Sequence, residues 1–208
     1  MIVFRNPDEV PDGYGPSAVA IGKFDGVHEG HRAVIRRLEE AAAASGSRAV
    51  AVTFDRNPLA VIRPDRCPEN VVTVDRKLEL LSELGLDATL VLTFDETLAA
   101  RSAEDFVVDI LVGALHVSTV LVGADFRFGH RGAGTPELLR ALGPRYGFSV
   151  EVVDDVYLPG SSRRVSSSWI RELLMAGDVA EATRALGRYP DVRGVVVHGL
   201  KRGRELGF

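Results

Sequence analysis

His28 and His31 lie three positions apart in Gly22-Lys-Phe-Asp-Gly-Val-His-Glu-Gly-His31, beside Lys23 and Asp25 and among Gly22, Gly26 and Gly30. Imidazoles in a glycine-rich loop suit phosphate chemistry. Their ring N–H groups can donate to phosphate oxygens that gain charge in a transition state, and glycine lets the backbone come close to such a ligand. The flanking residues supply the setting. Ala18-Val-Ala-Ile21 reads as a short buried strand, and from Gly30 to Ser45 the apolar Val34, Ile35, Leu38, Ala41 and Ala42 recur at helical spacing. The order is strand, loop, helix. Both histidines fall at the mouth of the helix, where free N–H groups and partial positive charge favour a bound phosphate. The Walker A and dinucleotide-fingerprint glycine patterns are absent.

Three further segments concentrate groups of the same kind. Asp55-Arg-Asn-Pro58 follows the Val-rich strand Ala49–Phe54 at its expected carboxyl end, where open parallel sheets bind ligands. The strand Thr119–Val122 runs into Gly123-Ala-Asp-Phe-Arg-Phe-Gly-His-Arg-Gly-Ala-Gly134, a loop costly to order because glycine loses so much entropy. It offers Asp125 for sugar hydroxyls, Arg127 for phosphate, and Phe126 and Phe128 for a ring or for the core. In Val165-Ser-Ser-Ser-Trp-Ile-Arg171, Ser166, Ser167 and Ser168 open a helix and Arg171 follows about one turn in. One serine suffices for a cap; three with an arginine make a cradle for a polyphosphate.

The elements that must position these loops follow in order. Ile2–Phe4 reads as a short edge strand, and residues 59–72 form a Pro- and Arg-containing loop long enough for a flap. Thr73 caps a helix with Leu78, Leu81 and Leu84 on one face, ending at Gly85, and Ala88–Leu92 is a strand. Ser102 caps a helix with Glu104 and Asp105 in its first turn and Phe106, Ile110 and Leu111 as its stripe; His116 after it reads as a surface residue. Thr135-Pro136 opens another helix, and Ser149–Val153 is a strand. Gly177 ends the serine helix, and Asp178 with Glu181 starts a last one that closes at Gly187. Strands alternating with helices predict a doubly wound, Rossmann-like α/β domain with a parallel sheet over residues 1–187.

Composition narrows the function classes. A chain of 208 residues holds one full domain with a small appendage. A formal charge of −4 gives no electrostatic case for nucleic acid or an anionic membrane. Cys67 stands alone, which excludes an intrachain disulfide and points to a cytoplasmic setting. No run of about 18 apolar residues is present.

Gly22-Lys-Phe-Asp-Gly-Val-His-Glu-Gly-His31 resembles the His-x-Gly-His signature of the nucleotidyltransferase superfamily, and in its longer form the bacterial FAD synthetases. Asp125-Phe-Arg-Phe-Gly129 after Val-Gly resembles a second, more specific segment of that family. Ser166-Ser-Ser-Trp-Ile-Arg171 is similar to the superfamily's Ile-Ser-Ser-Thr-x-Ile-Arg. At Thr53-Phe-Asp-Arg-Asn-Pro58 the chain departs from the family's Thr-Phe-Glu/Asp-Pro-His-Pro, with Arg56 and Asn57 in place of Pro and His. Arg193 to Phe208 resembles the first strand of the riboflavin kinase barrel that follows the transferase in two-domain members. It ends before that domain's Pro-Thr-Ala-Asn, so residues 188–208 are expected to be a truncated start; so short a piece cannot close a barrel.

The resemblance implies adenylyl transfer from ATP to FMN, giving FAD and pyrophosphate by direct in-line attack. His28, His31 and Arg171 would be catalytic, and Gly22, Lys23, Phe24, Asp25, Gly30, Gly123, Asp125 and Ser166 to Ser168 would join them around ATP. Phe54, Asp55, Arg56, Asn57, Pro58, Phe126, Arg127 and Phe128 would lie toward FMN. Magnesium would arrive on the triphosphate, with no metal site of the protein's own. A second copy of the chain or a separate riboflavin kinase stand as candidate partners. Two alternatives stay open: a transferase acting on a small phosphorylated alcohol, and a flavin- or nucleotide-binding protein without catalysis.

Overall fold

The computed structural model describes residues 1–197 with Gly199, Arg202 and Gly207. Six strands form one sheet: β1 (Ile2–Phe4), β2 (Ser17–Ile21), β3 (Arg48–Phe54), β4 (Ala88–Leu92), β5 (Val117–Gly123) and β6 (Ser149–Val153). Their order is β1-β4-β3-β2-β5-β6, and every pairing is parallel. The short β1 sits on the edge, as its length suggests. The central strands are apolar on both faces, as a parallel sheet covered by helices requires: Ala18, Val19 and Ala20 are fully buried, as are Val50, Ala51 and Val52.

The helices are α1 (Glu29–Ser45), α2 (Leu59–Ile62), α3 (Val74–Ser82), α4 (Glu96–Ala100), α5 (Ala103–Asp105), α6 (Pro136–Tyr146), α7 (Ser167–Met175) and α8 (Val179–Leu186). Alternate side chains of the strands feed two cores. One packs Val19, Val50, Val52 and Val120 against Phe106, Leu111 and Leu139; the other packs Ala18, Ala20 and Ala51 against Ile35, Leu38, Leu80 and Leu81. A third cluster, around Trp169, Ile170, Ala185 and Leu186, joins α7 to α8.

The chain crosses from β2 through β3 to β4 on one side, then returns to β5 and β6 on the other. Strands β2 and β5 therefore flank a topological switch point, and ligands of open α/β sheets bind outside the carboxyl ends there. The glycine-rich loops after β2 and β5 both open onto that edge.

Three sequence expectations need correction. Residues 59–72 read as a loop, but Leu59–Ile62 form α2 and Pro64–Arg66 a 3₁₀ turn, because the turn at Asn57-Pro58 starts a helix that Pro64 soon interrupts. The helix capped by Ser102 becomes a π-helix over Phe106–Ala114, because the apolar stripe fixes which face is buried but not which carbonyl each N–H meets. Val195–Val197, in the expected first strand of the barrel, form no strand and have no strand partner among the described residues; they are largely exposed, since three valines without a neighbouring edge have nothing to pair with. The rest of that expected barrel start, at residues 198, 200, 201, 203–206 and 208, lies outside the described residues. His116 is exposed, as expected.

Candidate functional site

The loop between β2 and α1 is held in an unusual backbone path. Phe24 (φ +49) and Val27 (φ +42) adopt the left-handed region without being glycine, and Gly26 (φ +85) lies between them. Such conformations cost energy for L side chains, a β-branched one above all, and persist only where surroundings over-determine them. The surroundings here are strong. Phe24 is 1% exposed, and its ring meets His31 edge-on with centroids 5.2 Å apart. Asp25 is buried, and its Oδ1 accepts the Val71 and Val72 N–H groups at 2.8 and 3.4 Å. The Arg171 guanidinium pairs with the other carboxylate oxygen at 2.6 Å and donates to the Glu69 carbonyl at 2.6 Å. Ser167 Oγ donates to the Asp25 carbonyl at 2.8 Å. Asp25 thereby fastens α7 and the segment before α3 to the loop.

His28 is the N-cap of α1, its Nδ1 accepting the His31 N–H at 3.3 Å. An imidazole can fill a role usually held by Ser, Thr, Asp or Asn because it has an acceptor nitrogen when neutral. That bond leaves the proton of neutral His28 on Nε2. The two rings stack, 3.6 Å between centroids and 19° apart, and a Cβ on Gly30 would stand 3.1 Å from the His28 ring. Burial, then the charges of Arg164 and Arg188, lowers the His28 pKa to about 3. Burial, with His28, Lys23 and Lys77 adding to it, holds His31 well below the ordinary histidine range. His31 Nδ1 is buried without a hydrogen-bond partner among the described residues. Both rings are therefore neutral donors at physiological pH.

A cleft of about 710 Å³ opens over this loop, within the range of small-molecule sites. Gly22, Lys23, Phe24, Asp25, His28, Gly30 and His31 line it from β2; Phe54, Arg56, Asn57 and Pro58 from β3. Gly123, Asp125, Phe126, Arg127 and Phe128 line it from β5, and Ser166, Ser167, Ser168 and Arg171 from α7. Of the site residues expected from the sequence, Asp55 alone does not line it. Its carboxylate accepts the Phe94 N–H at 2.9 Å and pairs with Arg56 at 2.8 Å. Burial pushes Asp55 up, but the bonds from Arg56 and Phe94 outweigh it and hold the carboxyl below its usual range.

Several expected ligand groups already have protein partners. Ser166 Oγ caps α7 by accepting the Trp169 N–H, while Ser168 is exposed. Asn57 Oδ1 accepts the Leu59 N–H at 3.1 Å, closing the turn that starts α2. Phe128 is buried in the core against Phe106, and Phe126 stacks on it. Asp125 is exposed and pairs with Arg164 at 2.9 Å.

Two basic residues of the cleft escaped the sequence reading. Lys77 of α3 is 7% exposed, and its ammonium donates to the Lys23 carbonyl (3.2 Å), Thr53 Oγ1 (3.0 Å) and the Phe54 carbonyl (2.7 Å). Burial lowers its pKa to about 8, opposed by Asp25 and Asp55. A signal existed: Lys77 stands at i of an i, i+3, i+4 set with the buried Leu80 and Leu81, so it falls on the inward face. The other is Arg164, which also pairs with Asp155 at 3.1 Å; no local pattern distinguishes it from neighbouring Arg163. Among the described residues no group of three or more His, Cys, Asp or Glu is gathered to hold a metal, and no helix is long and apolar enough to cross a membrane.

Comparison with known proteins agrees with this geometry. The family model described as FAD synthetase matches residues 12–169. The chain is 39% identical over 187 residues to the bifunctional riboflavin kinase/FMN adenylyltransferase of Pseudomonas fluorescens, covering 90% of this chain and 59% of that one. It is 36% identical over 190 residues to the protein of that name in Escherichia coli (strain K12), covering 91% and 60%. The counterpart in Buchnera aphidicola subsp. Acyrthosiphon pisum is 30% identical over all 208 residues and 66% of its own length. The chain thus spans about three fifths of the length of most of these relatives. A crystal structure titled as a macrolide-efflux protein from Streptococcus pneumoniae superposes with a TM-score of 0.81 at 27% identity, over 99% of this chain and 66% of that one. With a matched model running from the approach to β2 into α7, the chain belongs to the FAD synthetase family.

Proposed function

We propose that this chain transfers the adenylyl group of ATP to FMN, forming FAD and releasing pyrophosphate. The observation that carries this reading is the stacked, neutral His28–His31 pair at the mouth of α1, beneath a cleft on which the β2, β3, β5 and α7 segments converge. A phosphate oxygen of FMN attacks the α-phosphorus of ATP in line, and the bond from that phosphorus to the bridging oxygen of pyrophosphate breaks. The attacking oxygen is already ionised, so no side-chain nucleophile or base is required. Catalysis rests on positioning and on stabilising charge. His28 and His31 donate to the α-phosphate without giving up a proton. Ser168 and the helix mouth at Ser166 receive the outgoing phosphates, with Arg171 beside them. Gly22 to Asp25 and Gly123 to Asp125 receive the adenosine, and Phe54, Arg56 to Pro58 and Phe126 to Phe128 face the flavin.

Magnesium fits as part of the nucleotide. The acids nearest the phosphate loops, Asp25 and Asp125, are paired with arginines, so the ion is best carried by phosphate oxygens. Residues 1–187 form the transferase domain in this reading, and 188–208 begin the second domain of the bifunctional relatives. The alignment with the Buchnera aphidicola protein covers all 208 residues, so the resemblance continues past residue 187. A cytoplasmic setting without nucleic-acid or membrane partners accords with the net charge of −4.

Incubation of the chain with ATP, magnesium and either FMN or riboflavin, followed by separation of the flavins, tests the proposal. FAD and pyrophosphate are expected from FMN and not directly from riboflavin, which lacks the attacking phosphate. Absence of FAD would refute the reading, and product with CTP instead of ATP would shift it to another nucleotidyltransferase.

A further inference from the structure

The residue that leads out of α8 is bonded to the loop that carries the histidines. Arg188 Nη1 donates to the Val27 carbonyl at 3.2 Å, reaching back across the molecule, and more weakly to the Leu186 carbonyl at 3.5 Å. Val27 immediately precedes His28 and is the most strained residue of its turn, a β-branched side chain at φ +42. Its carbonyl therefore sets the plane of the peptide from which His28 springs.

Arg188 is costly to keep where it is. It is half-buried, and its Nε is buried without a hydrogen-bond partner among the described residues. Burial pushes its guanidinium below the usual arginine range, with Asp191 opposing. A desolvated guanidinium bonded to carbonyls instead of a carboxylate is a poor choice for packing alone. The residues beyond it extend the attachment. Asp191 pairs with Arg76 at 3.0 Å and Arg193 with Glu79 at 2.8 Å, both on α3, the helix whose Lys77 holds the other side of the same loop. Residues 188–193 thus strap together the two supports of the phosphate loop.

We propose that Arg188 is a positioning residue for adenylyl transfer: it holds the Val27 carbonyl and through it fixes the His28 ring. The segment leaving the domain is thereby coupled to the reaction. This rests on the FAD-forming reading above and deepens it. A purely structural arginine, closing α8 through its last carbonyls, would change the melting temperature and leave the folded enzyme's kinetics alone.

The test uses the full chain with Arg188→Met, which keeps much of the aliphatic stem and removes the donors. A displaced His28 should lower kcat by about ten- to a hundredfold, since small misplacements are costly in a preorganised site. KM for ATP should stay within about twofold, because ground-state contacts are retained. Arg188→Lys, which can still donate to the carbonyl, should recover part of the rate. Arg184→Met, at an exposed pair with Glu181 on the same helix, should leave the rate unchanged. Amide exchange should quicken at Phe24 to His28 in Arg188→Met and not in Arg184→Met. Wild-type kcat in Arg188→Met, or a rate loss matched by the unfolded fraction, would overturn the proposal. If the unaltered chain makes no FAD, the activity reading fails by itself and exchange decides the strap. Faster exchange confined to the loop supports it, and unchanged exchange refutes it.

Discussion

The loops after β2 and β5 meet across one cleft and are built in opposite ways. In the first, Phe24, Asp25, Val27 and His28 are all buried, and Thr53, Lys77, Ser167, Arg171 and Arg188 each bond to it. In the second, Asp125 and Arg127 are exposed; Asp125 pairs with Arg164, and Arg127 donates to the neighbouring Phe126 carbonyl. Phe128, with the half-buried Phe126 stacked on it, anchors it in the core. The first is a dry, over-determined turn in which two imidazoles stay neutral; the second is a wet rim. Chemistry that depends on fixed donors belongs on the former, because preorganised dipoles need no reorganisation as charge develops. Adjustable binding of a large substrate belongs on the latter.

Substitutions on the two sides should differ in kind as well as size. His28→Ala carries the largest expected effect, a fall in kcat of about a hundred- to a thousandfold, the cost of removing one good donor. KM for ATP should move little, as the contact strengthens only in the transition state. Steady-state kinetics on that variant checks both numbers.

Acid separates the loops next. His28 titrates at about 3 in the fold, against 6.5 when unperturbed, and His31 is depressed as well. Between those values the unfolded chain takes up protons that the folded chain refuses. Stability is therefore full above pH ~6.5 and falls as pH drops toward ~3, by up to about 1.4 kcal/mol per pH unit for each histidine. Denaturant unfolding across that window should show the slope, and His28→Asn should flatten it.

Lys77→Met removes the buried donor of the Phe54 carbonyl and leaves the Lys23 carbonyl with Thr53 Oγ1 alone among the described side-chain donors. A loss of about 1–3 kcal/mol in unfolding free energy is expected from denaturant melts. Smallest is Asp125→Asn, which breaks an exposed pair: no measurable change in melting temperature, and a rise of a fewfold at most in KM for ATP. A large stability loss there would erase the contrast between the loops.

Much of this was readable from the chain because the strong signals are local. Apolar runs set β2 to β6, and Thr73, Ser102, Thr135 and Asp178 each cap the helix they precede. Glycine-rich stretches after β2 and β5 marked the cleft. What the sequence withheld is pairing at a distance. Nothing near Asp25 says that its carboxylate will meet Arg171, 146 residues away, and Val71. Nothing near Arg188 says that it will reach Val27, 161 residues back. Lys77 differs: its spacing to Leu80 and Leu81 put it on the inward face, but the carbonyls that satisfy its ammonium lie on other elements and carry no local signal. The π-helix hides because it shares its burial pattern with an α-helix.

The central claim is that the dry loop performs the reaction, and His31→Ala tests it most directly when FAD formation from FMN and ATP and the melting temperature are measured on one preparation. The account predicts a chain that melts close to the unaltered protein and forms FAD about a hundred- to a thousandfold more slowly. A variant that melts normally and keeps most of its FAD-forming rate would contradict it.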